Sequence, residues 1–108
     1  MEKRDSVYIQ HILNCIEKID IFIVGKTRSD FLDDAMLQSA VVYQLLVIGE
    51  AAHGVSREFQ ARHSDVPWKL MIAMRNKLIH DYIEIDIEVV WEAASRDIPL
   101  LKESLIQL

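Results

Sequence analysis

The chain has 108 residues, 51% of them hydrophobic, and twelve Lys and Arg against seventeen Asp and Glu give a formal net charge of −5. That length suits one compact domain over residues 1–108 and excludes two. The acidic balance excludes long-range capture of a polyphosphate, so any nucleic-acid contact must come from a local basic cluster or from a site assembled between chains.

Cys15 is the single cysteine and cannot form an internal disulfide, which fits a reducing compartment and a cytoplasmic protein. The N-terminal stretch "MEKRDSVYIQHILNC" is charged and lacks the long apolar segment and small-residue cleavage site of a signal peptide. The longest oily run, "AVVYQLLVIG", is shorter than the roughly 20 residues a membrane span needs, so no membrane is expected as a partner.

Helix signals dominate in chain order. Asp5 and Ser6 are N-cap candidates for a first helix. Val7, Tyr8, Ile12, Cys15, Ile16, Ile19, Phe22 and Ile23 then recur at helical spacing up to a stop at Gly25. "KTRSD" reads as a loop, with Ser29 or Asp30 capping a second helix that runs to about Gly54. Within it "SAVVYQLLVIGE" is rich in β-branched residues, but the apolar run continues through Ala51 and Ala52 without a turn signal, which favours helix over strand. Ser56 opens a short helix, "SREFQARH", with Glu58 and Arg62 at i,i+4.

"SDVP" is a turn, and Pro67 suits the first turn of the next helix, which carries "MRNKLIHDY". A break falls near "YIEID". Asp86 then caps a last helix with Val89, Val90, Ala93, Ala94, Leu100, Leu101 and Leu105 as its apolar side, which Pro99 should kink or interrupt. The pattern predicts an all-α, up-and-down helical bundle of four long helices and one short one.

On a helical wheel of "PWKLMIAMRNKLIHDY", Trp68, Met71, Ile72, Arg75, Ile79 and Tyr82 share one side, widened by Leu70, Met74 and Leu78. Lys69, Asn76, Lys77 and His80 lie on the other. Arg75 thus occupies a slot where the periodicity expects Leu. A buried unpaired guanidinium costs several kcal/mol or more, so it must be paired or face a polar cleft. Glu50, which interrupts the oily second helix, is the candidate partner. Asn76 and His80 share a face at i,i+4, whereas Arg75 and His80 are about 140° apart on an ideal helix. Aiming both at one phosphate requires either unwinding around His80 or a groove shared by two copies of the chain.

The residue types fit metal-free RNA cleavage, in which a ribose 2′-hydroxyl attacks the neighbouring phosphate. His80 would supply a group titrating near neutrality and Arg75 a fixed cation for the charge growing on phosphorus. Asn76 would orient the imidazole or bond the phosphate. The same residues have ordinary readings: Arg75 in a structural ion pair, His80 as a helix-end histidine, Asn76 as a solvated polar residue, Tyr82 as rim packing. His11 and Cys15 at i,i+4 are half a metal site at most, and no metal and no cofactor is expected. Trp68 and Trp91 read as core or interface anchors, Met71 and Met74 as core filler, His53 and His63 as solvated loop ends.

The run Arg75-Asn76-Lys77-Leu78-Ile79-His80, followed by Tyr82, resembles the R-polar-x3-H signature of the HEPN superfamily. With "YIQHILNCIEKI", "QSAVVYQLLVIGEAA" and "DIEVVWEAASRDIPLL" around it, nearly the whole chain resembles the HepT-like group. The resemblance implies an all-helical homodimer with the signature lining a cleft at the interface, and a ribonuclease toxin with Arg75 and His80 as catalytic residues. Asn76 and Glu50 would support them. It implies an MntA-like nucleotidyltransferase antitoxin as partner, which transfers AMP to the tyrosine two after the signature histidine, here Tyr82. Lys69 and Lys77 are candidate RNA contacts beside Arg75. The alternative is a non-catalytic HEPN module that serves as the substrate-recognition subunit of the nucleotidyltransferase.

Overall fold

A computed structural model describes residues 3–108, so the first two residues of the charged N-terminal stretch lie outside it. It is all-α: α1 (Lys3–Ile23), α2 (Arg28–Leu32), α3 (Ala35–Gly54), α4 (Arg57–Arg62), α5 (Trp68–His80), α6 (Ile87–Glu92) and α7 (Ile98–Ile106), the last two joined by a π-helical turn at Ala93–Asp97. α3 is the central element, packed against α1 on one side and α5 on the other. Both neighbours run antiparallel to it: Tyr8 near the start of α1 abuts Gly54 at the end of α3, and Ile85, just past the end of α5, lies beside Gln38 and Val42 near the start of α3. The last composite helix closes the bundle over α1 and α3.

The first helix follows its apolar period, but its core stripe is Asp5, Ile9, Ile12, Ile16 and Ile19, while Val7 is exposed. Asp5 is therefore not a cap, because the helix is already formed at Lys3. Its carboxylate, 1% exposed, accepts from the Ser56 backbone N–H and the Ser56 hydroxyl, each at 2.7 Å. Ser56 in turn accepts from Phe59 N–H and caps α4, so one buried carboxylate ties the start of α1 to the start of α4. α1 stops where expected, at Gly25, whose φ of +71° needs a residue without a Cβ.

The predicted single helix from Ser29 or Asp30 to Gly54 is two helices. Thr27 caps α2 in a reciprocal box with Asp30, whose carboxyl is held below its usual range by the Thr27 backbone N–H and then the Thr27 hydroxyl. Asp34 then caps α3 by accepting from Leu37 N–H at 3.0 Å, and the break falls at Asp33–Asp34. With α6 and α7 taken as one last helix joined by the π-turn, the described residues form four long helices and two short ones, α2 and α4, rather than one. Helix, not strand, is right for "SAVVYQLLVIGE". By length and composition α3 is the described helix that could cross a bilayer. Its Val41, Leu45, Ile48, Ala51 and Ala52 are instead buried in the protein's own core.

Pro67 precedes α5, and Asp86 caps α6 by accepting from Glu88 and Val89 N–H. Pro99 interrupts the last helix as expected. It has no N–H to give and its ring crowds the carbonyl four residues back, and the π-turn just before it absorbs the misfit. The core stripe there is Val90, Ala94, Ile98, Leu101 and Leu105; Leu100 is 62% exposed because it lies one residue off that period. Trp91 packs on Phe31 at 5.3 Å between ring centroids, and Trp68 is buried with its indole N–H on the His63 carbonyl. His63 itself is half-buried against Phe59 rather than solvated. Glu58 and Arg62 are not among the ion pairs of the described residues.

Replacing Asp5 with Ala leaves the Ser56 N–H and hydroxyl without their acceptor. The expected loss is about 2 kcal/mol of unfolding free energy in urea, with secondary structure retained.

Candidate functional site

α5 is the one helix among the described residues with no carboxylate; it carries Lys69, Arg75, Lys77 and His80. Its buried side is Trp68, Met71 and Leu78, with Arg75 on the same stripe. Ile79 and Tyr82, expected on that side, are 44% and 72% exposed. Ile79 lies about 60° from the centre of the 68–71–75–78 stripe, and Tyr82 falls beyond the end of α5 at His80, where the helical period no longer places it.

The Arg75 side chain leaves α5 where α3 presents Gly49. A Cβ placed on Gly49 would fall 2.2 Å from the Arg75 Cβ, 2.8 Å from the Met71 carbonyl oxygen and 2.9 Å from the Arg75 Cγ. The bare backbone of α3 is thus the floor on which the stem of Arg75 lies. The guanidinium then emerges at the rim, where Nη2 meets Glu50 Oε2 at 3.0 Å and Nη1 donates to Asn76 Oδ1 at 2.9 Å. The Arg75–Glu50 pair expected from two matched anomalies in the sequence is present. Asn76 bonds the guanidinium rather than the imidazole, which separates it from the His80-orienting role also considered for it.

With side chains 35% and 67% exposed, the Arg75–Glu50 pair is screened by water. Such pairs contribute about 0–1 kcal/mol, so stability alone is a poor reason for a cation in a leucine slot.

His80 is the last residue of α5, which stays helical through it; the Asp81 N–H closes the turn on the Lys77 carbonyl. The unwinding that would let one chain aim both groups inward is therefore absent. Five residues of regular helix put His80 about 7.5 Å along the axis from Arg75 and about 140° around it. His80 is exposed in an open hollow lined also by Asp81, Ile83 and Glu84. Lys69, Lys77 and Tyr82 are exposed. Among the described residues no three His, Cys, Asp or Glu side chains gather to hold a metal ion, and Cys15 is buried, its thiol pushed up by desolvation. The signal missed in the sequence is Gly49, a glycine one residue before the carboxylate that meets Arg75.

A compact all-α bundle with Arg-Asn-x3-His ending a core-packed helix defines a HEPN-type protein. The chain matches the family model described as "Ribonuclease HepT-like" over residues 12–108, and it belongs to that family. It is 38% identical over 102 residues to a Thermococcus cleftensis protein named a probable ribonuclease HepT, covering 94% of this chain and 93% of the relative. It is 37% identical over 106 residues to a candidate RNase of Caldanaerobacter subterraneus, covering 98% and 95%. A Methanocaldococcus jannaschii protein, named as a gamma-glutamylcyclotransferase and candidate RNase, is 37% identical over 108 residues. That match covers the whole of this chain but only 49% of the relative's length. No solved structure matches the chain.

Glu50→Gln is expected to change unfolding free energy in urea by less than about 1 kcal/mol. A loss well above that would make Arg75–Glu50 a structural pair.

Proposed function

We propose that the protein is a metal-independent endoribonuclease, the toxin of a toxin–antitoxin pair, and that its site is completed by two copies of the chain. The observation that carries this reading is Arg75. It is a guanidinium seated in a core stripe with its charged end delivered to the surface, on a helix without carboxylates, in a chain of the HepT-like ribonuclease family.

In this reading a base takes the proton of the ribose 2′-hydroxyl as its oxygen attacks the adjacent phosphorus. The 5′-oxygen of the next nucleotide leaves with a proton, giving a 2′,3′-cyclic phosphate. His80 exchanges these protons. Arg75 meets the extra charge on the phosphoryl oxygens with a planar donor pair, Asn76 and Glu50 hold its orientation, and Lys69 and Lys77 neutralise flanking phosphates.

Two features favour a dimer. Arg75 and His80 of one chain diverge around α5, and a two-fold interface along this helix would bring both copies of each to a common groove. The hollow at His80 also holds Asp81 and Glu84, so cations for a phosphate there must come from elsewhere.

Silencing follows from Tyr82. Its exposed hydroxyl would attack the α-phosphate of ATP, held by an MntA-like nucleotidyltransferase, and release pyrophosphate. Each AMP then sets bulk and negative charge two residues from His80, against an incoming RNA. The exposed apolar residues Ile79, Tyr82 and Ile83 favour a second reading, in which this surface only docks the transferase and cuts nothing.

The purified protein is expected to cleave RNA in EDTA, and Arg75→Ala or His80→Ala to lower the rate about 100-fold or more with the fold retained. Undiminished cleavage by His80→Ala removes the catalytic assignment, and no cleavage by wild type at any concentration leaves the docking reading.

Co-expression with an MntA-like nucleotidyltransferase should add about 329 Da per AMP to the intact mass, a gain abolished by Tyr82→Phe.

A further inference from the structure

We propose that Gly49 is a positioning residue for Arg75. The missing Cβ at 49 makes the seat that fixes where the guanidinium emerges, a step that rests on the ribonuclease reading only for its effect on rate. Two helices usually pack with their axes 8–10 Å apart, and a side chain leaving one toward the other is normally stopped by its neighbour's Cβ. Here the position a Cβ would occupy on Gly49 is already filled by the Cβ and Cγ of Arg75, at 2.2 and 2.9 Å. The third close atom, the Met71 carbonyl oxygen at 2.8 Å, is backbone and cannot swing aside.

An added methyl must therefore push α5 away from α3 or drive the Arg75 stem off its floor. Either movement parts the guanidinium from Glu50, the very next residue on α3, because the carboxylate moves with α3 and the cation with α5. Gly49 and Glu50 thus act as adjacent parts of one device: the first sets the depth of the arginine stem, the second receives its head. Gly54, the other glycine of α3, has a different duty, since a Cβ there would meet the ring of Tyr8 at 2.6 Å.

The test is Gly49→Ala, read in two ways. In 15N NMR the Arg75 Nε–H resonance is expected to move to the position it takes in Glu50→Gln, reporting loss of the pair. In RNA cleavage kcat is expected to fall about 100-fold, the cost of an ångström-scale misplacement, while KM stays within about threefold. Ala52→Gly, which loosens the same helix at a buried position one turn beyond the contacts of Gly49 with Arg75, is the control and should keep both signals near wild type. An Arg75 resonance unmoved in Gly49→Ala, or an equal loss of rate in Ala52→Gly, overturns the proposal. If wild type cleaves nothing, the ribonuclease reading fails while the NMR shift still decides the seat.

Should Gly49→Ala melt too low to assay, the cycle with Arg75→Gly decides. Removing the Arg75 Cβ should recover at least half of the melting-temperature loss caused by Gly49→Ala. No recovery means the methyl collides with α5 generally and the seat is not Arg75's.

Discussion

Close approach of α3 and α5 at Gly49 is the constraint from which the rest of the site follows. A buried helix pair ordinarily gains its stability from interdigitated apolar side chains, as α3 and α5 do through Leu45, Ile48, Met71 and Leu78. At one level that pattern is broken on both helices at once: α3 offers no side chain and α5 offers a long charged one. The two irregularities are complementary in volume. An arginine stem lies where a leucine would have been packed by a facing methyl, and its methylenes remain in apolar surroundings while the charge reaches water. The bundle therefore holds a cation at its surface with the positional definition of a core residue.

That arrangement has a consequence for how chemistry can be organised on α5. A guanidinium fixed by packing cannot search for its partner, so in the proposed reaction the imidazole would have to be brought to it. Regular helix through His80 prevents this within one chain. The neighbouring carboxylates Asp81 and Glu84 make the His80 end unwelcoming to phosphate, whereas Arg75 brings a guanidinium, paired with Glu50, to the surface. The two halves of the proposed site thus differ on one subunit, a cation at one and an imidazole among carboxylates at the other. A self-associating site would also keep an isolated chain inert, which suits the proposed role of toxin.

Much of this was legible in residue order, and what was not has identifiable physical causes. The helical pattern and the anomalous pair Arg75 and Glu50 stand out because charge in an apolar period has few explanations. Gly49 does not stand out: inside "VIGEAA" it reads as one small residue among several, and only the facing helix gives it meaning. The split between α2 and α3 has a local signal in Asp34, a cap for the Leu37 N–H three residues on, that a reading of one helix from Ser29 or Asp30 to Gly54 passes over. Asp5 reads as a cap because aspartate near a helix start usually is one. Its place on the 5–9–12–16–19 stripe marks it as buried, and its partner Ser56 lies 51 residues away. Such long-range pairings leave no trace in local periodicity.

The acidic total charge is the remaining tension, and it resolves by location. Acidic residues lie on every described helix except α5 and in the segments between helices, so the cations of α5 stand in acidic surroundings. Lys69, Arg75 and Lys77 attract phosphate only within about 10 Å at ordinary ionic strength, and the two lysines lie on the other side of the helix from Arg75. RNA would thus be held weakly and only where these cations can be reached. Under such weak binding a single added phosphate nearby weighs heavily, because there is little surrounding positive charge to offset it. The same sparse electrostatics that limit affinity for RNA would make the protein easy to switch off, and an exposed tyrosine two residues beyond His80 is where a charged group would have that leverage.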